Sequence, residues 1–200
     1  MNEKFFDLNR EKQDRMINAA LRIFAENGYR HASTDVIVKE AGISKGLLFH
    51  YFTSKMGLFS FLFDYSVKYM LFEYDRLISS KETDYFTIRK ELERAKLNVL
   101  RSYPYMSEFI EKSLEENQLD INETIEASKN TYLDTLGKYY AQGSHDFLRE
   151  EISPNRLDAI IRYTVDGLTK DQIRTGSFQP EMLFEQICNY LDTIKKLVTQ

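Results

Sequence analysis

Residues 33–55 read STDVIVKEAGISKGLLFHYFTSK, and the punctuation of this stretch decides the fold. Gly42 separates two short segments whose apolar side chains recur at helical spacing. The first spans about residues 34–41, starts after a hydroxyl cap (Ser33 or Thr34) and stops at Gly42. The second starts at the cap Ser44 and ends near Tyr51. Gly42 supplies the left-handed backbone that a tight turn between helices demands. Ile43 then tucks into a small core beside Ile37, Ala41 and Leu48, and Phe52 points inward as well. The pattern is a helix-turn-helix. In such a motif the start of the second helix meets base edges in the major groove. Its free N–H groups and positive dipole end also suit phosphates. Lys45 adds charge there, Gly46 permits close backbone approach, and Leu47 completes the first turn. His50 and Tyr51 offer hydrogen-bonding groups, and Lys55 is placed for a flanking phosphate. Ser33 and Thr34 stand at the phosphate-facing start of the first helix.

Outward from this motif the chain keeps the same grammar. Ile17, Ala20, Leu21 and Phe24 follow a helical period and Gly28 comes after the last turn, so residues 10–27 form one helix. From Lys55, KMGLFSFLFDYSVKYMLFEYDRLIS predicts a long helix, apolar almost all round in its first half and therefore buried on several sides. Further helices are expected at about 84–101, 104–116 and 120–142, the second with Pro104 at its start. The last two open at Ser153-Pro154 and Gln179-Pro180, with proline near the first helical position. Only 3 Pro and 8 Gly occur, and they fall between the periodic segments. The reading is all-α, divided into a helix-turn-helix domain at 1–55 and a larger helical domain at 56–200.

Composition narrows the function classes. A hydrophobic share of 42% and a charged share of 29% belong to a folded, soluble chain. The first residues carry no apolar run of signal-peptide length, and no segment reaches membrane-span length. Cytoplasm is the expected compartment, with no membrane partner. Residues 1–57 hold 9 Lys and Arg against 7 Asp and Glu, whereas the remainder holds 18 against 24. A mildly basic head on an acidic body suits a polyanion partner at the N-terminal end. The single cysteine, Cys188, excludes an intrachain disulfide and a cysteine metal cluster. Three histidines and the absence of HExxH, GxSxG, P-loop and GxGxxG patterns argue against an enzyme. No metal and no cofactor are expected.

The spacing in MINAALRIFAENGY, followed by STDVIVKEAGISKGLLFHYFTSK, resembles the DNA-binding domain of the tetracycline-repressor (TetR) family over about residues 12–60. The resemblance implies a three-helix N-terminal domain, a larger helical ligand-binding and dimerisation domain, and a homodimer on a palindromic operator in double-stranded DNA. It also implies repression relieved by a small-molecule inducer. Some positions depart from the family pattern: Leu47 and Ala32 where Thr is common, Phe49 where Tyr is common, and Met56 where Glu is frequent. These changes leave the fold intact but remove donors, so an operator cannot be carried over from relatives.

The family analogy places a dimer bundle on the last two helices. Leu157, Ile161, Gly167 and Leu168 on one, with Ile187, Leu191 and Ile194 on the other, are its expected contacts. The competing reading buries these residues against the body of their own monomer. An inducer site would lie in the C-terminal domain, where Tyr103, Tyr105, Phe109, Tyr132, Tyr139 and Tyr163 are candidates to line a pocket for a small apolar or aromatic molecule. The alternative is an architectural or protein-interaction factor of the same fold, without a small ligand.

Overall fold

The computed structural model describes residues 3–174 and 178–199. Among them are ten helices: α1 (Glu3–Phe6), α2 (Arg10–His31), α3 (Thr34–Ala41), α4 (Lys45–Phe52), α5 (Lys55–Leu77), α6 (Tyr85–Ser102), α7 (Met106–Leu114), α8 (Leu119–Gln142), α9 (Pro154–Arg174) and α10 (Pro180–Val198). No strand forms among the described residues, which carry only two isolated bridge pairs. No helix among them is long and apolar enough to cross a membrane. The all-α expectation holds. Pro154 and Pro180 are the first residues of their helices, whereas Pro104 stands two residues ahead of α7 rather than within it.

Two compact units divide the chain. The first comprises Met1–Phe72 and Val99–Asp134, the second Glu73–Asn98 and Thr135–Gln200. Both are discontinuous, because α5, α6 and α8 each contribute to both. The unit that holds the helix-turn-helix thus extends well beyond residue 55.

In the first unit, α2 supplies the hub. Its buried face of Ile17, Ala20, Leu21 and Phe24 receives Ile37 and Ala41 from α3 and Leu48 and Phe52 from α4. Gly28 leaves helical geometry at φ 66°, where the helix was expected to stop. Arg22 clamps α2 to α3 through Glu40 and also pairs with Glu26 at 3.0 Å. Aromatic rings extend the core: Phe24 meets Phe59 at 5.1 Å, and Phe59 meets Phe109 of α7 at 5.3 Å. Helix α1 has no counterpart in the sequence reading. Its Phe5 is completely buried against Phe52 and Phe61, with centroids 5.2 and 5.1 Å away.

The second unit has its own core. Leu157, Ile161 and Val165 of α9 and Leu183, Ile187, Leu191, Ile194 and Val198 of α10 pack with Tyr85, Phe86 and Leu148. Buried charges there are partnered. Glu73 accepts from Arg76 and Asn98, and Glu93 accepts from Lys96. Arg89 lies over the Tyr140 ring at 4.7 Å.

Candidate nucleic-acid interface

The turn between α3 and α4 is built as glycine allows. Gly42 adopts φ 65°, ψ 41°, its N–H reaches the Lys39 carbonyl, and the Ile43 N–H reaches Val38 O at 3.0 Å. This left-handed closure satisfies carbonyls that α3 would otherwise leave open. Ser33 occupies the cap position of α3 in extended geometry, but its hydroxyl makes no cap bond. Ser44 does cap α4: its Oγ accepts the Leu47 N–H at 3.2 Å.

The first turn of α4 therefore stands open to solvent. Ser44, Lys45 and Gly46 are exposed, as is His50 one turn on, and Leu47 and Tyr51 are half-buried. Gly46 has open space around it, so nothing within the chain requires a glycine there. Ser33 and Thr34 are half-buried at the start of α3, next to exposed Asp35. Asp35 holds Lys45, with Nζ 2.9 Å from Oδ1. That pair spans ten positions of sequence and escaped the sequence reading.

Lys55 is placed differently from a free phosphate ligand. Its Nζ donates to the Arg30 carbonyl at 3.2 Å and sits 4.7 Å from the Tyr29 ring centre, and burial pushes its ammonium below the usual lysine range. It binds the head of α5 to the end of α2. The junction below it is tight. Ser54 Oγ accepts the Gly57 N–H at 2.9 Å, and a Cβ on Gly57 would collide with the Phe52 carbonyl oxygen that ends α4. Only glycine fits at position 57.

The aromatic candidates for an inducer pocket separate. Tyr103, Tyr105, Phe109 and Tyr132 belong to the first unit, Tyr139 and Tyr163 to the second. Phe109 is buried among Phe24, Phe59 and Phe63, Tyr132 is buried, and Tyr105 heads α7 half-buried. Tyr103 is 1% exposed, and its hydroxyl donates to Asp14 at 2.8 Å, meets the Tyr65 hydroxyl at 2.7 Å and accepts from Arg10 at 3.2 Å. Burial together with Tyr65 and Asp14 pushes its phenol well above the usual range. Tyr139 is buried with its hydroxyl on Asp75, and Tyr163 is 67% exposed. The six are divided between the two units, four in the first and two in the second.

Of the expected dimer contacts, Leu157, Ile161, Ile187, Leu191 and Ile194 are the second unit's own core. Leu168 packs partly against that core, and Gly167 is exposed with open space around it. The apolar side chains that α9 and α10 leave exposed are Ile160, Tyr163, Met182, Tyr190 and Leu197. The regular apolar period of α9 and α10 thus marks the face turned toward the second unit's own core. Cys188 is half-buried and burial raises its thiol above the ordinary range, which makes it a poor nucleophile.

Comparison with known proteins locates the motif. Residues 16–60 match the profile of bacterial regulatory proteins of the tetR family. The chain is 28% identical over 206 residues to the HTH-type transcriptional regulator YuxN of Bacillus subtilis (strain 168). That match covers 94% of this chain but 64% of the relative's length. Among solved structures, a TetR family transcriptional regulator from Chloroflexus aurantiacus J-10-FL superposes with a TM-score of 0.64 at 19% identity, covering 99% of this chain and 98% of the other. The transcriptional regulator FadR of Bacillus subtilis, in complex with stearoyl-CoA, superposes with a TM-score of 0.55 at 18% identity, covering 88% and 96%. At these identities the two structures share the fold with this chain.

Proposed function

The chain belongs to the tetR family of bacterial regulatory proteins, and from that premise we propose that it is a DNA-binding transcriptional repressor, acting in the cytoplasm as a homodimer on a palindromic operator and released by a small apolar or aromatic inducer. One observation carries the DNA reading: the capped first turn of α4 presents an exposed Lys45 beside an exposed Gly46 that no intrachain contact requires. A glycine inside a helix costs about 1 kcal/mol against alanine. In the first turn of α4 a glycine also leaves room for a phosphate or base edge in a major groove to come close. Ser44, Lys45, Gly46, Leu47, His50 and Tyr51 form the reading surface, with Ser33 and Thr34 toward the backbone. Lys55 contributes by holding α5 against α2.

Induction follows from contacts within the first unit. Tyr103 joins the α6–α7 connection to Asp14 and Arg10 of α2 through its hydroxyl. A ligand that displaces Tyr103 breaks that tie, with Tyr105, Phe109 and Tyr132 the other pocket candidates of the same unit. A shift of α5 is passed to α4, because the Phe52 carbonyl lies so close to Gly57 that not even a Cβ fits between them. The ligand weakens operator binding only by its preference for the displaced state. FadR of Bacillus subtilis in complex with stearoyl-CoA supports the idea that this fold can hold a ligand with a long acyl chain.

The test is selection of the purified protein on a randomised duplex pool at two salt concentrations. Enrichment of one palindromic sequence, bound more weakly as salt rises, is the expected result. Salt-sensitive binding without an enriched sequence would favour an architectural role instead.

A further inference from the structure

The second unit holds an arginine whose charge is met but whose hydrogen bonds are not. Arg89 of α6 is 6% exposed, and its guanidinium lies over the Tyr140 ring of α8 at 4.7 Å. Asp158 of α9 approaches Nη1 only to 3.8 Å, beyond hydrogen-bond length, and its Oδ1 already accepts the Tyr85 hydroxyl. Nε of Arg89 is buried with no hydrogen-bond partner among the described residues. A guanidinium grips a carboxylate through two parallel N–H groups, and the edge made by Nε and Nη2 is not the one that Asp158 approaches. A buried donor without an acceptor is costly, so this free edge points to an acceptor supplied from outside the chain. A second buried nitrogen, Nε2 of His145, also lacks a partner among the described residues. Its ring lies 4.9 Å from that of Tyr85, one turn before Arg89 on α6. The surroundings of both atoms are aromatic: Phe147 meets the Tyr85 ring at 6.0 Å, and Phe147 and Tyr140 are half-buried.

We infer that Arg89 anchors a small-molecule site in the second unit, built for an aromatic carboxylate. The carboxylate takes Nε and Nη2 side by side, and the ligand's ring packs among Tyr140, His145 and Phe147. The charge balance favours it. Tyr85, Tyr140, Glu93 and Asp158 are the ionisable groups that act on Arg89. Tyr85 stays neutral, since burial holds its phenol well above the usual range. Glu93, one turn on, is held by Lys96 at 3.1 Å. Asp158 is then the carboxylate that opposes the ligand. An anion on the Nε edge touches Arg89, whereas the width of the guanidinium separates it from Asp158, so attraction exceeds repulsion. The Asp158 side chain is also 37% exposed, and water screens it. Every residue of this site belongs to the second unit, whereas Tyr103 and its neighbours belong to the first. The site is therefore separate from the inducer site proposed above, and it does not depend on the DNA reading.

The test is a ligand-observed NMR titration of the full chain with sodium benzoate, and with benzamide as its uncharged counterpart. Benzoate is expected to bind with a Kd of about 1 mM or tighter, and benzamide at least about 10-fold more weakly. Arg89→Lys keeps the positive charge but removes the fork, and should weaken benzoate at least about 10-fold. Asp158→Asn keeps an acceptor for Tyr85 and removes the opposing charge. It should tighten benzoate about 3- to 10-fold and leave benzamide unchanged, a gain that damage to the fold does not produce. Arg94→Lys, on the same helix over the Phe184 ring, is expected to change neither. No benzoate binding up to about 20 mM would overturn the inference, leaving the guanidinium edge to water. Equal binding of benzoate and benzamide would overturn it as well, because the fork would not be what is read. So would unchanged benzoate affinity in a folded Arg89→Lys, or in Asp158→Asn an affinity that stays the same or falls. Should Arg89→Lys not fold, the benzamide comparison and Asp158→Asn decide.

Discussion

Gly46 sets folding and binding against each other at a single residue. Alanine at this exposed helical position meets nothing and spares backbone entropy, so Gly46→Ala is expected to raise stability by about 0.5–1 kcal/mol in urea unfolding. In the proposed DNA complex the same methyl holds the α4 backbone off the DNA, and affinity for the enriched duplex should fall. A variant that gains in both would remove the reason offered for the glycine. Tyr103 gives the complementary case. Tyr103→Phe removes one partner each from Asp14 and the Tyr65 hydroxyl in a half-buried network, a loss of about 0.5–1.5 kcal/mol by thermal unfolding. Gly46 was legible because lysine–glycine after a serine cap has few other uses at a helix start. The Asp35–Lys45 pair was not, since it exists only once Gly42 has folded α4 back against α3.

At the scale of elements, the boundaries of α2 to α5 followed from caps and glycines, which act locally. What escaped were contacts made by chain distant from the motif. Helix α1 is four residues long and too short to show a period, yet Phe5 seals the base of α4 with Phe52 and Phe61. Phe5→Ala should cost about 3–5 kcal/mol in chemical unfolding. A loss below about 1 kcal/mol would mean that α1 is not part of the core. Gly57 reads as an ordinary glycine in a long helix, and only the approach of the Phe52 carbonyl reveals its necessity. Gly57→Ala must push α5 from α4, with an expected loss of about 1–3 kcal/mol on thermal unfolding. Its operator affinity should drop further than stability alone accounts for. Unchanged affinity would argue against α5 as the route to α4.

At the scale of the whole molecule, periodicity finds a buried stripe but cannot say whose surface buries it. Leu157, Ile161, Ile187, Leu191 and Ile194 repeat as a dimer seam would, and the chain's own second unit uses them first. The apolar residues left over on α9 and α10, among them Tyr163 and Tyr190, are the proposed partner-facing set. Tyr190→Glu is expected to raise the dimer dissociation constant by at least about 30-fold, the equivalent of about 2 kcal/mol, in sedimentation equilibrium. A dimer of unchanged strength would move the interface elsewhere. The division of the pocket candidates between the two units has the same origin. Chain order placed them in one domain, whereas α5, α6 and α8 each run through both units.

The most direct test of site-selective DNA reading by the start of α4 is an anisotropy titration of wild type and Lys45→Ala on the enriched and scrambled duplexes at one fixed salt concentration. The account predicts that wild type prefers the enriched duplex by about 10³-fold or more. Lys45→Ala should lose about 10- to 100-fold on that duplex. Equal binding of both duplexes by wild type, or an enriched-duplex affinity untouched by Lys45→Ala, would contradict it.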